Sequence, residues 1–231
     1  MKIVRMLRYI LGSLLLLFLP FTNTLAQEKQ EKKNKDLYPQ EMGIAVGVDL
    51  APFILQWADP ARRGMNFLGR VSVTPNLFGV AEVGYENYDY KSDNYNYNSK
   101  GMGLKLGFDY DVFNPAETGN NDNIFFGARY GFSWQNHGSS GYTSVNGYWD
   151  DYSGSFDNYY FNTHYGELLF GLRTEVFKHF FMGITMRGKA IFYDSNSKTL
   201  QPSSIPGYGT PTPFNFGFSY TLEYQIPYFW K

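Results

Sequence analysis

Met102-Gly103-Leu104-Lys105-Leu106-Gly107-Phe108-Asp109-Tyr110 decides the reading of this chain. Every second residue is apolar or aromatic, and the residues between are glycine or charged. In a β-strand successive side chains point to opposite faces, so one face here is wholly apolar and the other is Gly, Lys and Asp. A strand that is apolar outward and polar inward suits a barrel wall in lipid.

The same two-residue rhythm recurs in seven other segments. The first, near 42–51, sets Ile44, Val46, Val48 and Leu50 against Ala45, Gly47 and Asp49. The second, near 66–74, sets Phe67, Val71 and Val73 against Arg70, Ser72 and Thr74, and the third, near 79–89, sets Ala81, Val83 and Tyr85 against Glu82, Gly84 and Glu86. The fifth, near 124–135, runs Phe126, Ala128, Tyr130, Phe132, Trp134 on one side and Gly127, Arg129, Gly131 on the other. The sixth and seventh, near 164–177 and 180–192, place Leu168, Phe170, Leu172, Met182, Ile184 and Met186 opposite Glu167, Arg173, Glu175, Arg187 and Lys189. The eighth, near 214–226, alternates Phe214, Phe216, Phe218, Tyr220, Leu222, Tyr224 and Ile226 with Asn215, Gly217, Ser219, Thr221, Glu223 and Gln225. No helical period competes in these segments. The expected fold is all-β: an eight-stranded antiparallel up-and-down transmembrane β-barrel. Long connections at 52–65, 90–98, 136–163 and 193–213 alternate with short ones at 75–78 and 178–179, as in barrels with short periplasmic turns and long outer loops. The link 112–123 is long on the short-turn side.

Composition agrees. Aromatic residues make up 19 %, as expected where aromatic girdles mark two membrane interfaces, and the mean hydropathy of −0.36 is low because only alternate strand residues are apolar. The first residues read as an export signal: Lys2, Arg5 and Arg8, an apolar run over 10–19, and small residues ending at Ala26. The expected organisation is a signal peptide at 1–26, a charged and disordered periplasmic lead-in at 27–41, and an outer-membrane barrel at 42–231, with both termini periplasmic. After cleavage 17 Lys and Arg face 21 Asp and Glu, a net charge of −4, which gives no basic face for nucleic acid. The absence of cysteine excludes disulfides, thiolate metal sites, a thiol nucleophile and a lipid-modified cysteine.

The inward positions collect seven acids (Asp49, Glu82, Glu86, Asp109, Glu167, Glu175, Glu223) and six bases (Arg70, Lys105, Arg129, Arg173, Arg187, Lys189). Near-parity matters because a buried unpaired charge costs several kcal/mol. Eight strands leave an interior that side chains can fill, so this set reads as a salt-bridged plug, with a narrow pore as the rival. Gly101, Gly103 and Gly107 lie inside a strand, so they read as room for long side chains rather than as a phosphate loop, which needs a following helix. His137, His164 and His179 show no spacing that fixes a catalytic triad, although His137 neighbours Ser139 and Ser140, and His164 lies near Glu167. His179 is expected in a two-residue turn. In the 136–163 loop, Tyr148, Trp149, Asp150, Asp151, Asp157 and Tyr159 are candidate binding residues. Aromatics interleaved with acids and glycines suit a sugar or protein surface, and the three Asp suit a calcium ion. The competing reading is an aromatic collar. No cofactor and no resident metal are expected.

The strand number, loop alternation, charged interior and last strand resemble the small eight-stranded outer-membrane barrels, the OmpA-barrel and OmpX-like group. The last strand is similar to the outer-membrane assembly signal through Asn215, Gly217, Tyr220 and Leu222, although the chain runs on through Pro227, Tyr228, Phe229 and Trp230 to Lys231. The resemblance implies a Gram-negative outer membrane, contact with its lipid and lipopolysaccharide, insertion by the barrel-assembly machinery, and no assigned reaction. The expected function is that of a non-enzymatic barrel acting through its outer loops or as a subunit of a larger envelope complex, one version being outer-membrane protein assembly or transport. The rivals are a membrane-embedded lipid A-modifying enzyme, which needs a His within reach of a Ser and a carboxylate, and a soluble lipocalin-like barrel with its apolar face inside.

Overall fold

The computed structural model describes residues 41–113, 121–144, 152–195 and 201–228. Among the described residues the fold is all-β apart from one short helix. The strands are β1 (Gly43–Asp49), β2 (Arg62–Thr74), β3 (Leu77–Ser92), β4 (Tyr95–Asp111), β5 (Asn123–Ser144), β6 (Tyr152–Phe177), β7 (Phe180–Asp194) and β8 (Phe214–Pro227). Each pairs antiparallel with its neighbours in sequence, giving an up-and-down sheet. β8 returns to β1, with Gly43 opposite Pro227 and Asp49 opposite Thr221, so the ring of pairings closes into a barrel.

Alternation decides which face goes where. Val46, Phe67, Val83, Leu106, Phe126, Leu168, Ile184 and Phe218 are exposed on the exterior. Arg70, Glu82, Lys105, Asp109, Arg129, Glu167, Arg173, Arg187 and Glu223 are buried inside. This is the reverse of a soluble barrel, which buries its apolar face. The exterior carries registered aromatic rows: Tyr85, Met102 and Trp134 lie side by side towards the loop end, and Tyr110 lies beside Phe126 towards the turn end.

At the turn end, β2 and β3 are joined through residues 75–76, and β6 and β7 through Lys178 and His179. His179 has φ 66°, a left-handed conformation that costs a non-glycine residue roughly 1 kcal/mol. Its amide is held by the Glu175 carboxylate at 2.6 Å, which bears out the two-residue turn.

The loop end departs from expectation. Residues 90–98 are not a loop: β3 runs to Ser92 and β4 starts at Tyr95. Most of the 136–163 connection is strand as well, since β5 reaches Ser144 and β6 begins at Tyr152. The apolar-polar contrast fades there because neither face meets a uniform apolar surroundings, yet the backbone ladder continues. The 52–65 connection contains helix α1 (Ala51–Ala58), and β2 already starts at Arg62. Pro52 presets the helical φ at the first turn. Asp49 accepts the Ala51 amide at 3.0 Å. The helix stops at Asp59, which is extended before Pro60, as a residue preceding proline prefers. Only Ala51 of α1 is buried, and Trp57 is 89 % exposed.

Candidate functional site

The interior is one continuous ion network. Glu223 takes Arg70 Nε at 3.3 Å and Arg173 Nε at 3.0 Å. Arg70 also pairs with Asp109, and Asp109 pairs with Arg129 at 2.7 Å. Arg129 reaches on to Glu82 at 3.5 Å, linking this lower cluster to an upper one. There Glu82 takes Lys105 at 3.2 Å and Arg187 at 2.9 Å, and Glu167 takes Lys105 at 3.3 Å, Arg187 at 3.0 Å and Lys189 at 3.9 Å. Six cations thus share four carboxylates. Neutral oxygens take up the difference: Phe108 O and Ala128 O accept from Arg129, while Asn123 and Gln225 accept from Arg173. Arg, with five donors in a fixed plane, is suited to such branching.

The other inward acids lie outside this network. Glu86 pairs with Arg62 at 2.8 Å and accepts from Ser204. Asp49 accepts the Ala51 and Tyr220 amides and caps the top of β1. Glu175 holds the β6–β7 turn and accepts from Asn121 at 2.7 Å. The spacing rule had more to give: Asp111, two residues beyond Asp109, is buried and accepts from Asn123. The inward set also includes apolar residues that a list of charges omits. Arg70 lies over the Phe125 ring at 5.0 Å, and Arg173 over the Phe181 ring at 3.5 Å. These faces attract cations. Interior glycines make the room, with Gly171 under the Phe125 ring and Gly131 under Tyr165. Between Arg70, Glu82, Arg129, Arg187 and Thr221 a cavity of about 10 Å³ remains, space for about one water molecule.

Residues 201–212, expected as part of an outer loop, fold down over the mouth instead. Ile205 and Tyr208 are buried against Phe161 and Tyr165. Gly207 and Gly209, at φ 76° and 109°, turn the chain back so that Ile205 pairs with Gly209. Lys189 ties this cap to the network by donating to Gly207 O at 2.9 Å and Tyr208 O at 3.0 Å. The Ser203 amide donates to Tyr97 at 3.1 Å. Burial pushes the Tyr208 phenol above its ordinary pKa, partly offset by a hydrogen bond from the Ile191 backbone. Gly103 supplies the seat: a Cβ there would lie 2.9 Å from Pro206 O. Gly103→Val is therefore expected to lift the cap while the strands remain. Limited digestion with chymotrypsin, read by mass spectrometry, should gain a cut at Tyr208, and an unchanged digest would contradict the seating.

The histidines are separated. His137 is buried, its ring set among Tyr97, Phe156, Tyr159 and Phe161, and neither ring nitrogen has a partner among the described residues. Ser139 donates to Asn96 O at 2.7 Å, away from His137. His164 Nδ1 meets Tyr130 OH at 2.5 Å on the exterior, while Glu167 points inward. Among the described residues, the Ser–His–carboxylate contact that the enzyme reading needs is thus formed by neither histidine.

Of the candidate loop residues, Tyr148, Trp149, Asp150 and Asp151 lie outside the described residues, as does the Asp157 side chain. Tyr159 belongs to β6, 6.5 Å from the His137 ring. No group of acids and histidines suited to a metal ion occurs among the described residues. On β8, Asn215 donates to Tyr208 O at 3.1 Å and Gly217 lies against Lys189, both inside, whereas Tyr220 and Leu222 lie on the alternate, outer face. The leader at 1–26 and most of the 27–41 lead-in fall outside the described residues, as does 229–231.

The arrangement offers a filled interior, a capped mouth, an apolar exterior and a tall β3–β6 wall at the loop end. No curated protein matches the chain. A family model matches residues 6–231, and the chain belongs to that family, described as a domain of unknown function, DUF6048.

Proposed function

We propose that this protein is a non-enzymatic barrel integral to a Gram-negative outer membrane, similar to the OmpA-barrel and OmpX-like group, acting through its loop end or as a subunit of a larger envelope complex. One observation carries the reading: the exterior is apolar on all eight strands and the interior is charged. Water would leave that exterior unsatisfied as a broad exposed patch, whereas lipid matches it. The Tyr85–Trp134 and Tyr110–Phe126 rows suit the two interfaces. Trp57 and the exposed Phe53, Ile54 and Leu55 of α1 suit the outer interface. The termini then lie in the periplasm, the leader directs export, and the barrel-assembly machinery inserts the chain through the β8 signal.

The ion network and the cap support a plugged barrel over a narrow pore, so purified protein in planar bilayers is expected to show no steady ion conductance. The subunit version, which includes a role in outer-membrane protein assembly or transport, draws on the β8–β1–β2 side. There β1 stops at Asp49 while β8 continues up to Phe214, and Trp57 and Phe216 stand 89 % and 87 % exposed. Photocrosslinkers at these two positions in intact cells, followed by mild detergent extraction, test it. Capture of one defined chain supports a complex, and a monomer crosslinked only to lipid supports a stand-alone barrel. Density fractionation of cell envelopes with heat-modifiable gel migration tests the whole reading, which recovery in the soluble fraction would sink.

A further inference from the structure

We propose that a groove at the loop end of β4, β5 and β6 binds a neutral saccharide. The groove has a volume of about 360 Å³ and is faced by the amides of Asn96, Asn98 and Asn158 with Ser140, Ser155 and Phe156. It forms where the ladders lose register: the pairing shifts between Asn96 and Asn98 on β4, and between His137 and Ser139 and again between Ser139 and Tyr142 on β5. Such irregularities re-aim side chains and open a wall. Gly138 lies opposite Asn98, and any Cβ there would collide with the Asn158 amide oxygen, so the glycine keeps the floor clear. Ser139, by donating to Asn96 O at 2.7 Å, fixes the rim on the β4 side.

The chemistry of the lining selects the ligand class. Each Asn amide offers two donors and one acceptor oxygen, a match for adjacent hydroxyls on a sugar ring. None of the three amides has a protein partner among the described residues. The charged groups at the edge, Lys91 and Asp89, pair with each other at 3.5 Å, so among the described residues the groove carries no uncompensated charge to favour phosphate or carboxylate. Phe156 provides the apolar face on which sugar C–H groups rest, while Tyr97 is buried on the inward side of β4 beneath the groove, where its hydroxyl takes the Ser203 amide at 3.1 Å. The groove sits on the β3–β6 wall at the end that faces outward under the proposed membrane orientation, and the proposal deepens that reading by naming a ligand for the working end.

The test uses the mature protein in alkylphosphocholine micelles, which carry no sugar headgroup. Saturation-transfer NMR is recorded with malto-, chito- and mannotetraose, with delipidated oligosaccharide from the same cells, and with inorganic phosphate as a charged control followed by ³¹P line width. At least one saccharide is expected to bind, and Asn98→Ala/Asn158→Ala is expected to weaken it about tenfold, the loss of two hydrogen-bonding side chains. Both positions are exposed, so the variant's heat-modifiable migration should match the wild type. No transfer from any saccharide, transfer unchanged in the variant, or phosphate binding that the variant abolishes would overturn the proposal. Because binding is read on purified protein, its failure rejects the groove alone, whereas recovery of the protein in the soluble cell fraction rejects the membrane reading.

Discussion

Glu82→Leu is expected to destabilise the folded barrel by about 3–5 kcal/mol, the cost of breaking a buried ion pair from one side. Glu82 faces Lys105, Arg129 and Arg187 within 3.5 Å. It is buried, as are all three cations. Its loss leaves Glu167 and Asp109 to serve them, and the cations already outnumber the carboxylates of the network. The double variant Glu82→Leu/Arg187→Leu should recover part of the loss, because removing both partners of a buried pair is close to neutral when the space is refilled with apolar groups. Urea unfolding in micelles, followed by gel migration of folded and unfolded bands, measures both. A single variant as stable as wild type, or a double variant worse than the sum of the two singles, would contradict the network described above.

Leu106→Arg is expected to cost about 2–4 kcal/mol in a bilayer and to reduce the amount of folded protein in the envelope. Leu106 stands at the centre of the β4 stripe and is half exposed on the exterior. On a protein in water the same change adds a solvated charge to a surface and leaves stability within about 0.5 kcal/mol. The variant therefore separates the two surroundings by sign and size. Folding yields into lipid vesicles, compared with those of Leu106→Ala, give the measurement.

Much of this was legible from alternation alone. Strand number, order and the inward or outward sense of Leu106, Lys105, Glu167 and Arg187 all follow from a period of two. Asp111, Phe125 and Phe181 follow from the same period carried to the strand ends, and a reading confined to charged residues passes over the two phenylalanines. The upper parts of β5 and β6 are harder, because their alternation is aromatic against polar and resembles a loop in composition. α1 carries the sequence Ala-Pro-Phe-Ile-Leu-Gln-Trp-Ala, eight residues that hold too little periodicity to distinguish a helix from an apolar connection. The cap is not readable at all from local sequence. Ile205 and Tyr208 gain their partners, Phe161 and Tyr165, from residues 40 or more positions away, and Gly103 shows its purpose only when Pro206 is laid against it. The partition of the acids is also non-local: Glu86, Glu175 and Asp49 obey the same inward rule as Glu82, yet height along the barrel gives them Arg62, backbone, hydroxyl and amide partners instead of the central cations.

The proposed membrane reading requires the exterior of this barrel to be in contact with lipid. The chain has no cysteine, so single cysteines at Val83, Leu106, Leu168 and Ile184 can carry nitroxide labels without background. All four positions are exposed on the exterior, on strands β3, β4, β6 and β7. Collision rates with oxygen, which concentrates in lipid, and with a water-soluble nickel chelate are then measured in isolated outer membranes. The account predicts high oxygen and low nickel accessibility at all four sites. High nickel accessibility at all four would place that surface in water and contradict it.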